Sequence, residues 1–197
     1  MPWYGYALIS TLTIAAVGIL QKKTLEEEHS LEYATIFSTA KLILFGLVFG
    51  FATDWSLTAG EVMVSLAAGV INALAFLHVA KAMRRIELST VMPVLSLEPA
   101  LVAIMALLTL GETLTINQVI GMVLTLLGTY VLELRRHSDE LHGWTAPFRR
   151  LFRDAGGRYA MWGLFFFTLG SVIDRFALQR IAVLSYMGYV FLATTSF

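Results

Sequence analysis

The chain contains no cysteine, and this excludes both disulfide bonds and thiolate metal sites. Charged residues make up only 14% of the 197 residues, and 14 basic side chains balance 14 acidic ones. Because the formal net charge is zero, overall charge gives no reason to expect binding to nucleic acid or to an acidic partner. The positions of the few charges therefore carry more information than their sum.

Apolar residues, by contrast, make up 57% of the chain, and its mean hydropathy is +0.73. These values predict an all-α membrane protein, a polytopic bundle of helices. The last apolar segment is only about 14 residues long, which is short for a crossing. We therefore expect the chain to be part of a longer protein. The predicted spans are residues 3–20, 31–52, 61–80, 88–110, 114–134, 159–178 and 184–197.

Basic residues lie almost entirely in the first, third and fifth connections between these spans. By the positive-inside rule these connections face the cytoplasm, which places the N-terminus outside. Arg175 and Arg180, after the sixth span, indicate the opposite orientation. The residues that support an outside N-terminus are Lys22, Lys23, Lys81, Arg84, Arg85, Arg135, Arg136, Arg149, Arg150, Arg153 and Arg158.

The fifth connection, residues 135–157, has an amphipathic pattern. One helical face would carry four large apolar residues, and three arginines, Arg149, Arg150 and Arg153, would lie away from it. This pattern suits a helix that lies on an anionic lipid surface, although a polar linker is an equal alternative. His137 and His142 in the same connection fit a solvated loop better than a metal site.

Five spans, a long connection and then further spans indicate an internal duplication. The predicted units are a five-helix repeat over residues 1–134, the connection 135–157 and the start of a second repeat over 158–197. An odd number of spans per repeat inserts the second copy upside down. Inverted repeats with a binding site between them at mid-depth are typical of transporters.

Three polar side chains, those of Lys41, Asn72 and Glu98, are predicted near the middle of their spans. Ionisable groups at this depth usually face a cavity and pair with each other, so we predict a Lys41–Glu98 pair. A purely structural ion pair is one alternative. Another alternative is that the lysine extends towards the membrane interface and the glutamate is protonated. His78, nearer the end of its span, fits a satisfied core histidine better than a proton relay.

Prolines and glycines predict the local shape of the helices. Pro93 and Pro99 each remove a backbone donor, and we expect a kink there that frees carbonyl groups. Glycines at helical spacing in the second and fifth spans predict close helix packing. They are Gly46 and Gly50 in the second span and Gly121 and Gly128 in the fifth.

Residues 81–132 resemble the second half of an EamA repeat from the drug/metabolite transporter superfamily. The resemblance rests on "KAMRR" at a helix end, Glu98-Pro99 within the next helix, the turn at Gly111-Glu112, and a glycine-rich last helix. It covers the first repeat, and residues 158–197 resemble the start of a second. Lys41 occupies a place where the family often has arginine.

The resemblance implies ten helices in two inverted repeats. It also implies alternating-access transport of a small organic solute, such as an amino acid, a metabolite or a drug, across the plasma membrane.

No cofactor or enzymatic activity is expected, because the sequence offers no Ser/His/Asp arrangement or His/carboxylate spacing. On this interpretation Lys41, Asn72, Glu98 and His78 serve substrate binding or coupling, which could involve protons. The alternative is a structural or receptor-like membrane protein. The family orientation places the N-terminus in the cytoplasm, whereas the charges favour the outside.

Overall fold

The computed structural model describes residues 3–27, 29–111, 113–136 and 152–196, which form eight helices. Five candidate spans in this part of the chain are long and apolar enough to cross a membrane, one of them built from α4 and α5 together. The predicted fold class, an all-α multi-pass membrane protein, is confirmed. The helices are α1 (Trp3–Glu27), α2 (Ser30–Phe49), α3 (Ala59–Arg85), α4 (Leu88–Leu95), α5 (Glu98–Leu110), α6 (Ile116–Arg136), α7 (Ala155–Ala177) and α8 (Val183–Ser196).

Local sequence sets the ends of several helices. Thr58 and Glu61 form a capping box at the start of α3, in which each side chain accepts a hydrogen bond from the backbone N–H of the other residue. The Asp154 side chain caps α7 by accepting from the Gly157 N–H. α5 ends at Gly111, which has a φ of 65°, a left-handed conformation that glycine adopts at little cost.

The kink predicted from Pro93 and Pro99 is present as a full interruption of the helix. α4 ends at Leu95 and α5 begins at Glu98, with Pro99 in the first turn of the new helix. The Ser96 hydroxyl lies at the break, where it donates to the Pro93 carbonyl at 2.7 Å. It also lies 2.8 Å from the Thr129 hydroxyl, which joins the break to α6. The glutamate predicted to lie at mid-depth is thus the first residue of a half-helix.

α3 is the central helix of the bundle. Its most extensive contact is with α7 and its second with α8, while α2 also packs on α8 and α5 on α7. Glycines allow these close approaches, because a Cβ on Gly69 would lie 2.5 Å from Ala193 Cβ and 2.7 Å from the Val190 carbonyl oxygen. A Cβ on Gly163 would lie 2.6 Å from a methyl group of Val79.

The predicted packing glycines are not the ones that make these contacts. A Cβ added to Gly46, Gly121 or Gly128 would meet no heavy atom within 4 Å in the described chain, and Gly50 lies at the C-cap of α2. The prediction of close packing at these positions is therefore wrong for this structure. The spacing of glycines shows that they share one face of a helix, but it does not show whether a neighbouring helix covers that face.

The outer helices expose large apolar side chains. Leu12 in α1, Leu47 in α2 and Leu124 in α6 are 70%, 70% and 64% exposed. Such faces are compatible with lipid, which is as apolar as leucine.

Some predictions concern residues outside the described part of the chain. The amphipathic segment with Arg149 and Arg150, and the loop with His137 and His142, fall in the undescribed range 137–151. Arg153 lies just after that range and is exposed. The division into a first repeat, a connection and a second inverted repeat stays a prediction.

Candidate functional site

A cavity of about 280 Å³ lies between α2, α3, α7 and α8. These helices come from both predicted repeats. Its walls combine aromatic rings with a small number of polar groups, the arrangement typical of small-molecule sites. It is lined by Ser38, Lys41, Asn72, Ala73, Phe76, Phe167, Asp174, Tyr186, Met187, Val190, Phe191 and Thr194.

Lys41 enters this cavity from α2 and is surrounded by aromatic rings. Its Nζ lies 5.2 Å from the ring centroid of Phe37, 5.5 Å from that of Phe76 and 5.5 Å from that of Phe191. Phe37 precedes Lys41 by one helical turn and stacks on Phe76 of α3 at 5.2 Å. Because desolvated cation–π contacts contribute about 2 kcal/mol or more, the rings partly replace the water that an ammonium group loses at this depth.

Asp174 forms the acidic side of the cavity. Its carboxyl group accepts hydrogen bonds from the Tyr186 hydroxyl of α8 and from the Asn72 side chain of α3. Gly170, one turn earlier on α7, leaves room for this arrangement, since a Cβ there would lie 3.0 Å from Asn72 Oδ1. Asp174 therefore connects three helices through hydrogen bonds.

Glu98 lies elsewhere. Its Oε1 accepts a hydrogen bond of 2.7 Å from the Ser171 hydroxyl of α7, and it is not among the residues that line the cavity. The predicted Lys41–Glu98 ion pair is absent from the described chain, so that prediction is wrong for this structure. A position near the middle of a span does not specify which neighbour a side chain faces.

Asn72 lines the cavity, while His78 does not. His78 Nδ1 lies 2.7 Å from the Leu74 carbonyl oxygen, and its ring centroid lies 5.3 Å from that of Phe166. A carbonyl oxygen only accepts, so this contact requires the proton on Nδ1. This geometry favours the interpretation of His78 as a satisfied histidine between α3 and α7.

Asp174 and Tyr186 were missed by reasoning from the sequence. Asp174 lies near the end of its predicted span beside Arg175, where it looks like an interfacial charge. Its spacing from Gly170 and Ser171, one helical turn, is the signal that could have indicated a polar face on α7. Tyr186 gave no distinct signal in the sequence, because a tyrosine in an apolar segment is common.

Residues 1–134 match the EamA-like transporter family. The chain belongs to this family. A curated protein of Clostridium kluyveri, described as an uncharacterized transporter, is 25% identical over 130 residues, which cover 64% of this chain. The same alignment covers 42% of that protein, so the chain spans less than half the length of its relative. No solved structure matches the chain significantly. Lys41 and Asn72 lie within the family match, whereas Asp174 and Tyr186 lie beyond it.

Proposed function

We propose that the protein is a transporter that moves a small organic solute, such as an amino acid, a metabolite or a drug, by alternating access. The observation that carries this proposal is the cavity in which Lys41, Asn72 and Asp174 meet between helices of the two predicted repeats. Its volume of about 280 Å³ suits a small solute, close to the lower end of typical ligand sites of about 300–1,000 Å³.

The lining supports binding of a solute that has both polar and apolar groups. Lys41 offers an ammonium group, Asp174 a carboxyl group and Asn72 an amide, while Phe76 and Phe191 provide apolar surface. Groups of opposite charge on two walls can orient one molecule between them. Ionisable residues inside a membrane are costly to insert, and their usual role is in a substrate or ion pathway.

Two carboxyl groups meet the same stretch of α7 and support a coupling role: Asp174 belongs to α7, and Glu98 of α5 is hydrogen-bonded to it. Ser171 donates to Glu98, and Asp174, three residues later, accepts from Tyr186. Glu98 begins the half-helix α5, so a change in its hydrogen bond to Ser171 would move the broken helix relative to α7. We propose that solute or proton binding at Asp174 is transmitted along α7 to this contact.

Flux through the full-length protein in proteoliposomes tests the proposal. A panel of labelled amino acids and other small organic solutes identifies a transported probe. With that probe, Asp174→Asn and Lys41→Met should each lower uptake about tenfold or more, because hydrogen bonds to charged groups contribute about 1.5–3 kcal/mol. Asp54→Asn is the matched control, since the hydrogen bonds of Asp54 with described residues are those with Ser56 in an exposed loop.

Equal flux in Asp174→Asn, Lys41→Met and Asp54→Asn would contradict the assignment of the cavity. Loss of folding in the first two variants would be seen as a lower melting temperature. Asp174→Glu, which keeps the carboxyl group, then separates a structural loss from a functional one, because it should recover at least part of the flux.

We further propose that the protein lies in the plasma (inner) membrane with its N-terminus outside. Ser56 lies before α3 and Ser89 after it, so the two residues mark opposite ends of one crossing. Both are exposed, and the chain has no native cysteine to remove. In intact cells the Ser56→Cys variant should react with a membrane-impermeant thiol reagent and the Ser89→Cys variant should not. The reverse pattern would invert the topology.

A further inference from the structure

A second cavity lies at the end of the bundle where α3 finishes and α7 begins. It has a volume of about 210 Å³ and is separate from the central cavity, with no lining residue in common. Two arginines and two aromatic residues form most of its wall. The lining residues are Arg85, Ala155, Arg158, Tyr159 and Trp162. We refer to it as the basic pocket.

Positive charge concentrates around the aromatic ring of Tyr159. The Arg85 guanidinium carbon lies 4.7 Å from the centroid of this ring, and Lys81 Nζ lies 5.8 Å from it. Stacking on the ring holds Arg85 at the pocket while its N–H groups stay available to an anion. The pocket thus has an oriented guanidinium, a second arginine in its wall and an ammonium nearby.

The two arginines of the pocket form no direct ion pair within the described chain. Neither Arg85 nor Arg158 forms an ion pair with a described carboxylate. The ion pair that the described residues do form joins Lys22 and Glu26 of α1 at 3.4 Å. The acidic residue nearest to Arg158 in sequence, Asp154, is the N-cap residue before α7 and accepts from the Gly157 N–H. An anion from outside the described chain would therefore meet two guanidinium groups that form no ion pair with a described carboxylate.

The pocket continues into an apolar surface. Trp162 forms part of its wall and is 54% exposed, and Phe165, also on α7, is 53% exposed. The two rings contact each other edge to face at 5.8 Å. Aromatic residues beside basic ones at a helix end are typical of the membrane interface. A ligand with a phosphate in the pocket and acyl chains along Trp162 and Phe165 satisfies both parts of this surface.

We propose that the basic pocket binds the phosphodiester of an anionic phospholipid. A free inorganic phosphate shares the charge but has no group to cover Trp162 and Phe165. The proposal is independent of the transport proposal, because the pocket lies outside the central cavity. It also does not depend on the connection that carries Arg149 and Arg150.

The test is a titration of the purified full-length protein in neutral detergent, followed by native mass spectrometry. The probes are short-chain phosphatidylglycerol, phosphatidylcholine of the same chain length and inorganic phosphate. Arg85→Gln/Arg158→Gln is the test variant. Arg84→Gln is the matched control, because Arg84 is a neighbouring exposed arginine on α3 that does not line the pocket.

Phosphatidylglycerol should bind the native protein more tightly than phosphatidylcholine, and that preference should survive in Arg84→Gln. The double variant should bind it about 25-fold more weakly, since each basic residue near an anionic lipid contributes a factor of about five. Equal weakening by Arg84→Gln, or equal affinity for the two lipids, would overturn the proposal. Inorganic phosphate that blocks the lipid at similar concentration would overturn the lipid assignment. A melting temperature measured without lipid confirms that each variant is folded.

Discussion

α3 and α7 form the interior of the bundle, whereas α1 and α6 lie at its edge, and the two pairs use similar sequences in different ways. All four helices are apolar and contain glycine. In the most apolar window of α7, 39% of the residues are buried, against 11% in that of α1. A Cβ added to Gly69 or Gly163 would lie less than 3 Å from a neighbouring helix, while a Cβ added to Gly121 or Gly128 would meet no heavy atom of the described residues within 4 Å.

This contrast shows that apolar character does not identify the inside of a membrane protein. Lipid and protein interior are equally apolar, so the close fit between helices, and not hydrophobicity, separates the two pairs. Some polar groups show the same contrast. Asn72 and Asp174 contact each other between α3 and α7, whereas the threonine hydroxyls of α1, such as that of Thr11, return to a carbonyl of their own helix.

The largest expected effect on stability is at Gly69. Gly69→Ala should lower the free energy of unfolding by about 1–3 kcal/mol, the usual cost of overpacking, because the new methyl group meets the backbone of α8 at Val190. Gly121→Ala is the matched control. It should be neutral or slightly stabilising, because the position has open space and alanine favours helix by about 0.5–1 kcal/mol.

Denaturant or thermal unfolding in detergent measures both glycine variants. Equal destabilisation by Gly69→Ala and Gly121→Ala would remove the distinction between interior and edge. A stable Gly69→Ala protein would mean that α3 and α8 separate more easily than their contact indicates.

A smaller effect is expected at Lys22, which joins the edge helix α1 to α3. Its Nζ donates to the Met83 carbonyl at 2.7 Å and lies 3.4 Å from the Ile86 carbonyl oxygen. Lys22→Met should cost about 1.5 kcal/mol, the lower range for a hydrogen bond to a charged group. Lys23→Met, at the exposed neighbouring position, should change stability by less than about 0.5 kcal/mol.

Thermal unfolding of the two lysine variants distinguishes this contact from general charge effects. If both variants lose the same stability, the bond from Lys22 to the end of α3 does not hold α1 in place.

The sequence predicted the features that depend on composition and on single residues. Long apolar runs located the spans, and Pro93 with Pro99 located the break between α4 and α5, because both signals act within one helix. Features that depend on rotation between helices were not predictable. Lys41 and Glu98 were paired on depth alone, yet Lys41 faces the aromatic rings of α3 and α8 and Glu98 faces Ser171.

The site was therefore half predicted. Lys41 and Asn72 were identified as mid-depth polar residues, and both line the cavity. Asp174 was missed because its place near the end of a span suggested an interfacial charge. A single sequence does not show that Gly170 brings Asn72 close to α7, since that contact arises only when the two helices pack.

The central claim is that the cavity between α2, α3, α7 and α8 is a water-accessible solute site, and the reactivity of Ser38→Cys tests it most directly. Ser38 lines the cavity although it is only 7% exposed. Ser65 on α3 is fully buried and does not line the cavity, so Ser65→Cys is the control. In the reconstituted full-length protein, a charged methanethiosulfonate reagent should modify Ser38→Cys at least about tenfold faster than Ser65→Cys, since only thiolate exposed to water reacts. Equal, slow modification of the two variants would contradict the account.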